Sequence, residues 1–403
     1  MAIHNFEKSY QSSLKKLKES MLSERNKKLI ISFVDDLIIE NISKPRLTKY
    51  LVLMRMICLK LNKDLDKANR DDLKKYVSEL QQREDYSVWT KKTYKIALRK
   101  FYKWHTKKKN PKITDFININ IKRTEMNLPS SGELLDQEDV NNILSSAEFP
   151  RDKALIAMLW ESGARIGEVG NLSIKDVVFD QYGLVISVMG KTGARKIRLV
   201  SSTPYISAWL NNHPMKDDKN APVWVNLWGG KRKHQMGYGV IRLMIRRTAE
   251  KAGIKKRANP HTFRHSRATY MANHLTEFQM NQYFGWIQGS DMPATYVHMS
   301  GKEVDSAILV MNGVKAVDNK DKMELQPTIC PRCDTINSVN SKHCNKCGGM
   351  LDLKQAVELQ EQITRKTEMR SHSDQLMNLL LKDKQVQEIL MEKMRNLGEG
   401  IGF

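Results

Sequence analysis

The sequence predicts a mainly α-helical protein with a small antiparallel sheet, an α+β chain built from several domains. Three observations predict it. Apolar residues recur at three- and four-residue spacing through the first 125 positions and again from Tyr238 onward, the period of helices buried on one face. Between them, three short extended runs (DVVFD, LVISVM and KIRLV) lie close together. The chain also has 403 residues, 40% of them hydrophobic and 28% charged, which suits a soluble globular protein with two or three cores.

Taken in order, KPRLTKYLVLMRMICLKL from Lys44 sets Leu47, Leu51, Met54 and Cys58 on one helical face. NRDDLKKYVSELQQRE offers Asn69 as a cap, with Leu73, Tyr76, Val77 and Leu80 behind it. In SVWTKKTYKIALRKFYKWHTKKKN, Trp89, Tyr94, Leu98, Phe101 and Trp104 form a buried stripe opposite a basic face. The helical run then breaks at Pro129, Ser130, Ser131 and Gly132, and Asp136 opens a new helix. A domain boundary near residue 128 follows. Beyond it, DKALIAMLWESGARIGEVGNL reads as a buried helix stopped by Gly163, then Arg165, then a second short helix. The strands LVISVM and KIRLV flank the turn GKTGAR, after which helices run from Tyr238 to Gly253 and from His261. The chain divides into a helical domain over 1–127, a second domain over 128–314, a cysteine-bearing module over 326–351, and a polar helical tail over 352–403.

The formal net charge is +22, and a charge of that size points to a polyanionic partner. Residues 1–127 carry 30 Lys and Arg against 15 Asp and Glu, so this third of the chain supplies +15 of the excess. Double-stranded nucleic acid fits that surface; a solvated lysine-rich face is the bland alternative. A membrane partner does not fit, because no run of about 18 uncharged apolar residues exists. The first ten residues show no apolar signal region. The expected location is cytoplasmic, on the nucleoid.

Four of the five cysteines fall in CPRCDTINSVNSKHCNKCG, at Cys330, Cys333, Cys344 and Cys347. Two Cys-x-x-Cys turns present four thiolates, the set that tetrahedral structural Zn²⁺ takes. Four sulfur ligands leave no open position for catalysis. A disulfide pair is the alternative, disfavoured in a reducing compartment. His343, beside Cys344, is a possible substitute ligand, and Cys58 reads as a core residue.

The stretch His261-Thr-Phe-Arg-His265 lacks the further ligand and the glutamate of a zinc-hydrolase helix. Gly190-Lys191-Thr192 lacks the upstream glycine of a phosphate loop, since position 185 is Val, so ATP chemistry has no support. What remains is a set of cations (Arg165, Lys191, Arg264), the histidines, Trp286 and one tyrosine, Tyr296. Two guanidinium forks can hold both non-bridging oxygens of a phosphodiester where no metal supplies the charge.

Over residues 10–312 the chain resembles the tyrosine recombinases, the family of phage-type integrases and Xer-like resolvases. SGARIGEVGNL matches the family's G-x-R-x-x-E box at Arg165 and Glu168, and the hairpin lysine falls at Lys191, with Lys196 its rival. The H-x-x-R-H box falls at His261, Arg264 and His265. FGW puts Trp286 where the family usually carries histidine, and the nucleophile position is Tyr296 in SDMPATYVH. The resemblance implies that Tyr296 attacks a backbone phosphate and forms a covalent 3′-phosphotyrosine, with no ATP and no catalytic metal. It implies that Arg165 and Arg264 clamp the phosphate, that Lys191 protonates the departing 5′-oxygen, and that His261 assists proton transfer. Trp286 would pack on and donate to the phosphate, while Glu168 and His265 support the arginines. It further implies a core-binding function for the first domain, a dimer on one site and a tetramer in the synapse, with GKEVDSAILVMNG as the segment donated to a neighbour. The cysteine module, more loosely, is similar to integrases of archaeal mobile elements. A nicking-closing topoisomerase of the same chemistry and a non-catalytic DNA-binding protein stay open as rivals.

Overall fold

The computed structural model describes residues 3–121, 131–190 and 192–300, and scattered positions between 312 and 393 that include the four cysteines. It divides into two compact units. One comprises Met1–Leu134 with Val225–Arg242, and the other Leu135–Trp224 with Leu243–Phe403. Among the described residues the architecture is mainly helical, with one three-stranded sheet and one two-stranded ribbon.

Five helices build the first unit: α1 (Phe6–Lys18), α2 (Glu24–Ile39), α3 (Lys44–Leu61), α4 (Arg70–Gln82) and α5 (Val88–Thr106). Helix α3 occupies the run expected from its apolar spacing, and Leu47, Leu51, Met54 and Cys58 are all buried. Burial pushes the Cys58 thiol up to about 12, as befits a core residue rather than a reactive one. Asn69 caps α4 in a reciprocal box with Asp72, so both orphan amides at that end are satisfied. On α5, Tyr94, Leu98 and Phe101 enter the core and Trp104 is half-buried, its indole donating to Asp36. Trp89 departs from the expected stripe. It lies 51% exposed at the second residue of the helix, with the Lys92 ammonium over its ring.

The second unit begins with α6 (Gln137–Ser146), capped by Asp136 as its sequence predicts. The buried helix α7 (Pro150–Ser162) follows and ends at Gly163 in the left-handed region, φ +54°. There a Cβ would meet the Phe284 ring at 2.7 Å, so both conformation and space demand glycine. The short α8 (Ile166–Val169) leads to β1 (Val177–Asp180), β2 (Gly183–Gly190) and β3 (Gly193–Leu199). These form an antiparallel meander whose β2–β3 register closes at Gly190↔Gly193. Helices α9 (Thr203–Asn211), α10 (Tyr238–Lys251, whose residues up to Arg242 fall in the first unit), α11 (Pro260–Met271), α12 (Glu277–Phe284) and α13 (Met292–Ser300) complete it. Glu161 of α7 ties the layers together. Its carboxylate accepts from the amides of Val200, Ser201 and Ser202 and from the Ser202 hydroxyl, capping α9, whose own Ser202 makes no side-chain cap.

Strands β4 (Thr328–Ile329) and β5 (Ile336–Asn337) form the ribbon that carries the cysteines, and β5 packs against α9. The segment GKEVDSAILVMNG lies outside the described residues, apart from Asn312, as does most of the polar tail.

Candidate active site

Residues from five separate elements converge behind the β2–β3 hairpin. Arg165 caps α8, and its backbone amide donates to Glu168 Oε2 at 2.8 Å. Its guanidinium bonds Glu168 Oε1 at 3.1 Å and reaches the Gly285 carbonyl from both terminal nitrogens at 3.3 Å. Arg264, on the second turn of α11, donates to the Gly163 carbonyl at 2.9 Å and the Phe284 carbonyl at 3.0 Å. It lies over the Phe284 and Trp286 rings. Backbone oxygens thus fix both arginines, and no carboxylate among the described residues pairs with Arg264. Burial and the positive charge of Arg165 pull the Arg264 guanidinium down to about 10. Two cations held this close gain most from an anion bound between them.

Arg195 of β3 was absent from the sequence reading. Its guanidinium grips Glu168 with two bonds of 2.9 Å, and its Nε donates to the Tyr283 carbonyl at 2.9 Å. Burial by itself would raise the Glu168 carboxyl, but the bonded Arg195 and neighbouring Arg165 hold it below the usual carboxylate range. The available signal was the alternation in ARKIRLV, which turns Arg195 inward with Ile197 and Leu199. An arginine on the inward face of a strand needs a buried acid, and Glu168 is that acid.

Gly285 follows α12 at φ +61°, where a Cβ would strike the Arg195 guanidinium. Its carbonyl also accepts from the Thr192 hydroxyl at 3.2 Å, so the hairpin tip is anchored beside Arg165. Lys191 itself lies outside the described residues. Its rival Lys196 is exposed on β3, paired in register with Ser187.

Asn259 caps α11 and receives the amides of His261 and Thr262. His261 sits exposed on that first turn; partial desolvation and the charges of Arg264 and Arg257 lower its pKa. His265, one turn on, is half-buried, and its Nδ1 lies 2.8 Å from the Tyr296 hydroxyl. Tyr296, on α13, is 2% exposed. Its ring stacks on Trp286 with centroids 5.4 Å apart and planes 5° from parallel, and Trp286 in turn stacks on Phe284. Burial raises the Tyr296 phenol, with Arg264 opposing. The structure therefore brings Arg165, Glu168, Arg264, His265, Trp286 and Tyr296 into one cluster, with His261 on the same helix.

The sequence comparisons agree with that convergence. Residues 133–303 match the model for the phage integrase family, and residues 30–109 match its N-terminal SAM-like domain. Together the two matches span well over half of the chain. The chain belongs to the phage integrase family. Among curated relatives of this tyrosine recombinase chain, XerD of Yersinia pestis is 26% identical over 293 residues, covering 69% of this chain and 94% of XerD. XerA of Pyrococcus horikoshii is 27% identical over 217 residues, 52% of this chain and 69% of XerA. For XerC of Actinobacillus pleuropneumoniae the figure is 26% over 183 residues, and the match spans only 56% of that relative's length. The fold is shared with XerH recombinase in a post-cleavage complex with palindromic difH substrate. That likeness has a TM-score of 0.55 and 18% identity, and covers 75% of this chain and 95% of the other. A lambda integrase dimer bound to a COC′ core site gives 0.53 and 12%, covering 68% and 78%.

Away from this cluster, the Sγ atoms of Cys330, Cys333, Cys344 and Cys347 all lie within 4.8 Å of one another. Cys330–Cys347 and Cys333–Cys344 separate by 3.6 and 3.5 Å. Zn–S bonds of about 2.3 Å put tetrahedral sulfur–sulfur edges near 3.8 Å, so the four residues fit that ion. Asn337, wholly buried, donates to Cys344 Sγ. His343 is exposed and stands outside the group. No helix among the described residues is long and apolar enough to cross a membrane.

Proposed function

We propose that this chain is a site-specific DNA recombinase that cuts and rejoins duplex DNA through a covalent 3′-phosphotyrosine. One observation carries the reading: a buried tyrosine hydroxyl lies in one cluster with two arginines whose terminal nitrogens are already fixed on backbone carbonyls. In this reading the remaining N–H hydrogens of Arg165 and Arg264 hold the non-bridging oxygens, which a planar fork does better than an ammonium. Trp286 supplies an apolar wall and an indole N–H. Lys191 at the hairpin tip protonates the 5′-oxygen, and His261 assists proton transfer from α11. Glu168 and Arg195 hold Arg165 in place. The chemistry needs neither a nucleotide nor a catalytic metal, because the phosphotyrosine conserves the bond for rejoining.

The partner is double-stranded DNA, bound by a dimer at one site and a tetramer in the synapse, in the cytoplasm at the nucleoid. The basic domain over 1–127 is the core-binding part, and 128–314 the catalytic part. The module over 326–351 is a ribbon around structural Zn²⁺ and 352–403 a helical tail; the added module supports a mobile-element integrase. Nicked suicide duplexes spanning the DNA beside its own gene test the reading. A denaturing gel should show a protein–DNA adduct that Tyr296→Phe abolishes, together with strand exchange between two sites. Relaxation of any supercoiled plasmid would instead favour a topoisomerase, and no adduct on any duplex would favour a non-catalytic DNA binder.

A further inference from the structure

We infer that His265, rather than His261, accepts the proton of the Tyr296 hydroxyl during strand cleavage. The inference rests on the recombinase reading above and moves the acceptor of the nucleophile's proton from His261 to its neighbour on α11. Among the described residues, the hydroxyl of Tyr296 makes one hydrogen bond, to His265 Nδ1 at 2.8 Å. The contact is built rather than incidental. Helices α11 and α13 pack together, and the stack on Trp286 fixes the plane of the phenol ring while His265 meets its tip. His261 precedes His265 by one turn on α11 but sits exposed, and the tyrosine hydroxyl bonds His265 instead. The two histidines are therefore divided in position: one at the nucleophile, one at the helix entrance.

The electrostatics suit an acceptor. Burial first, then His261 and Arg264 on the same helix, lower the His265 pKa, so its imidazole is neutral near pH 7. Tyr296 is the titratable group facing it from α13. A neutral ring whose proton sits on Nε2 offers its Nδ1 lone pair to the phenol. Burial has raised that phenol, so attack without a base would be slow at neutral pH.

In the step, the phenol O–H bond breaks and its proton passes to Nδ1. The Oη–P bond forms as the P–O5′ bond breaks, and the departing oxygen takes a proton from the general acid assigned above to Lys191. Rejoining runs in reverse, the imidazolium returning its proton to the phenolate as the 5′-hydroxyl attacks.

The test uses the full chain on the nicked suicide duplexes just described, alongside duplexes whose scissile 5′-oxygen is replaced by sulfur. A thiolate leaves without a general acid, so those duplexes isolate the base. His265→Asn keeps an acceptor near the Nδ1 position but cannot take a proton. We expect it to form adduct about 10²-fold more slowly on both duplexes, within the usual contribution of a general base. On the sulfur duplex, wild type should show a rate that rises with pH through a pKa below 6.5, and the variant should lose that limb. Wild-type speed for His265→Asn on the sulfur duplex would overturn the assignment. Faster cleavage than wild type would overturn it too, marking the bond as a resting latch. Should the variant fold poorly by thermal melting, the wild-type profile decides alone: a flat one below pH 6.5 overturns the assignment. Failure of the recombinase reading looks different, since wild type itself would then form no adduct.

Discussion

Arg195 holds both oxygens of Glu168 at 2.9 Å, and the same carboxylate receives the backbone amide and guanidinium of Arg165. One buried acid thus couples a strand of the hairpin to the arginine at the head of α8. Arg195→Lys keeps the charge but loses the paired bonds, so Arg165 loosens. Losing hydrogen bonds to a charged group costs about 1.5–3 kcal/mol. Urea unfolding should show a loss of that order, and adduct formation should fall with duplex affinity retained.

Glu161→Ala tests the junction between β3 and α9. The change leaves the part-buried amides of Val200 and Ser201 and the buried amide of Ser202 without their acceptor. Unsatisfied buried donors cost about 1–3 kcal/mol each, so a loss of about 3 kcal/mol is expected after partial rescue by water. Thermal melting measures it.

Stability should also depend on pH in a defined window. His261 and His265 both have folded pKa values below the ordinary 6.5, so the unfolded chain binds protons more readily. Their contribution is fully present above pH 6.5 and is lost as pH falls through the lowered folded values. Glu168, also lowered, adds a second loss below 4.5. The melting temperature should therefore decline as pH drops from 7 toward 5, and His265→Asn should flatten that slope.

Metal analysis of the purified chain should find one zinc per protein, removed by Cys344→Ser. Because β5 packs on α9, removal should lower the melting temperature of the second unit. Structural zinc contributes folding energy on the order of 10 kcal/mol to an isolated module, so the ribbon should become protease-sensitive first. Limited proteolysis with and without chelator reads the outcome.

Trp286→Phe keeps a ring against Tyr296 but deletes the indole N–H. If that group donates to the phosphate, cleavage should slow by about 10²-fold, the cost of losing one transition-state donor. Melting should barely change.

The helices and the grouping of Arg165, Glu168, Arg264, Trp286 and Tyr296 were legible because their signals are local or motif-bound. The spacing in α3, the Asn69 and Asp136 caps, Gly163 and the inward-facing core of α5 all act within a few residues of themselves. Trp89 was misplaced because helical phase alone does not say where a neighbouring helix stops covering the face. Arg195 and the bond between His265 and Tyr296 were missed for a different reason. Each depends on partners 27 and 31 positions away in sequence, and one chain with no pairing information cannot reveal such contacts.

The carbonyl at position 285 binds Arg165 and Thr192, whereas the side chain at 286 merely stacks. Scaffold and reagent are thus segregated onto adjacent residues: backbone geometry carries the first, and an aromatic donor the second. A designer wishing to retune phosphate contact can work through the ring, at a cost in rate, but must leave its glycine predecessor untouched.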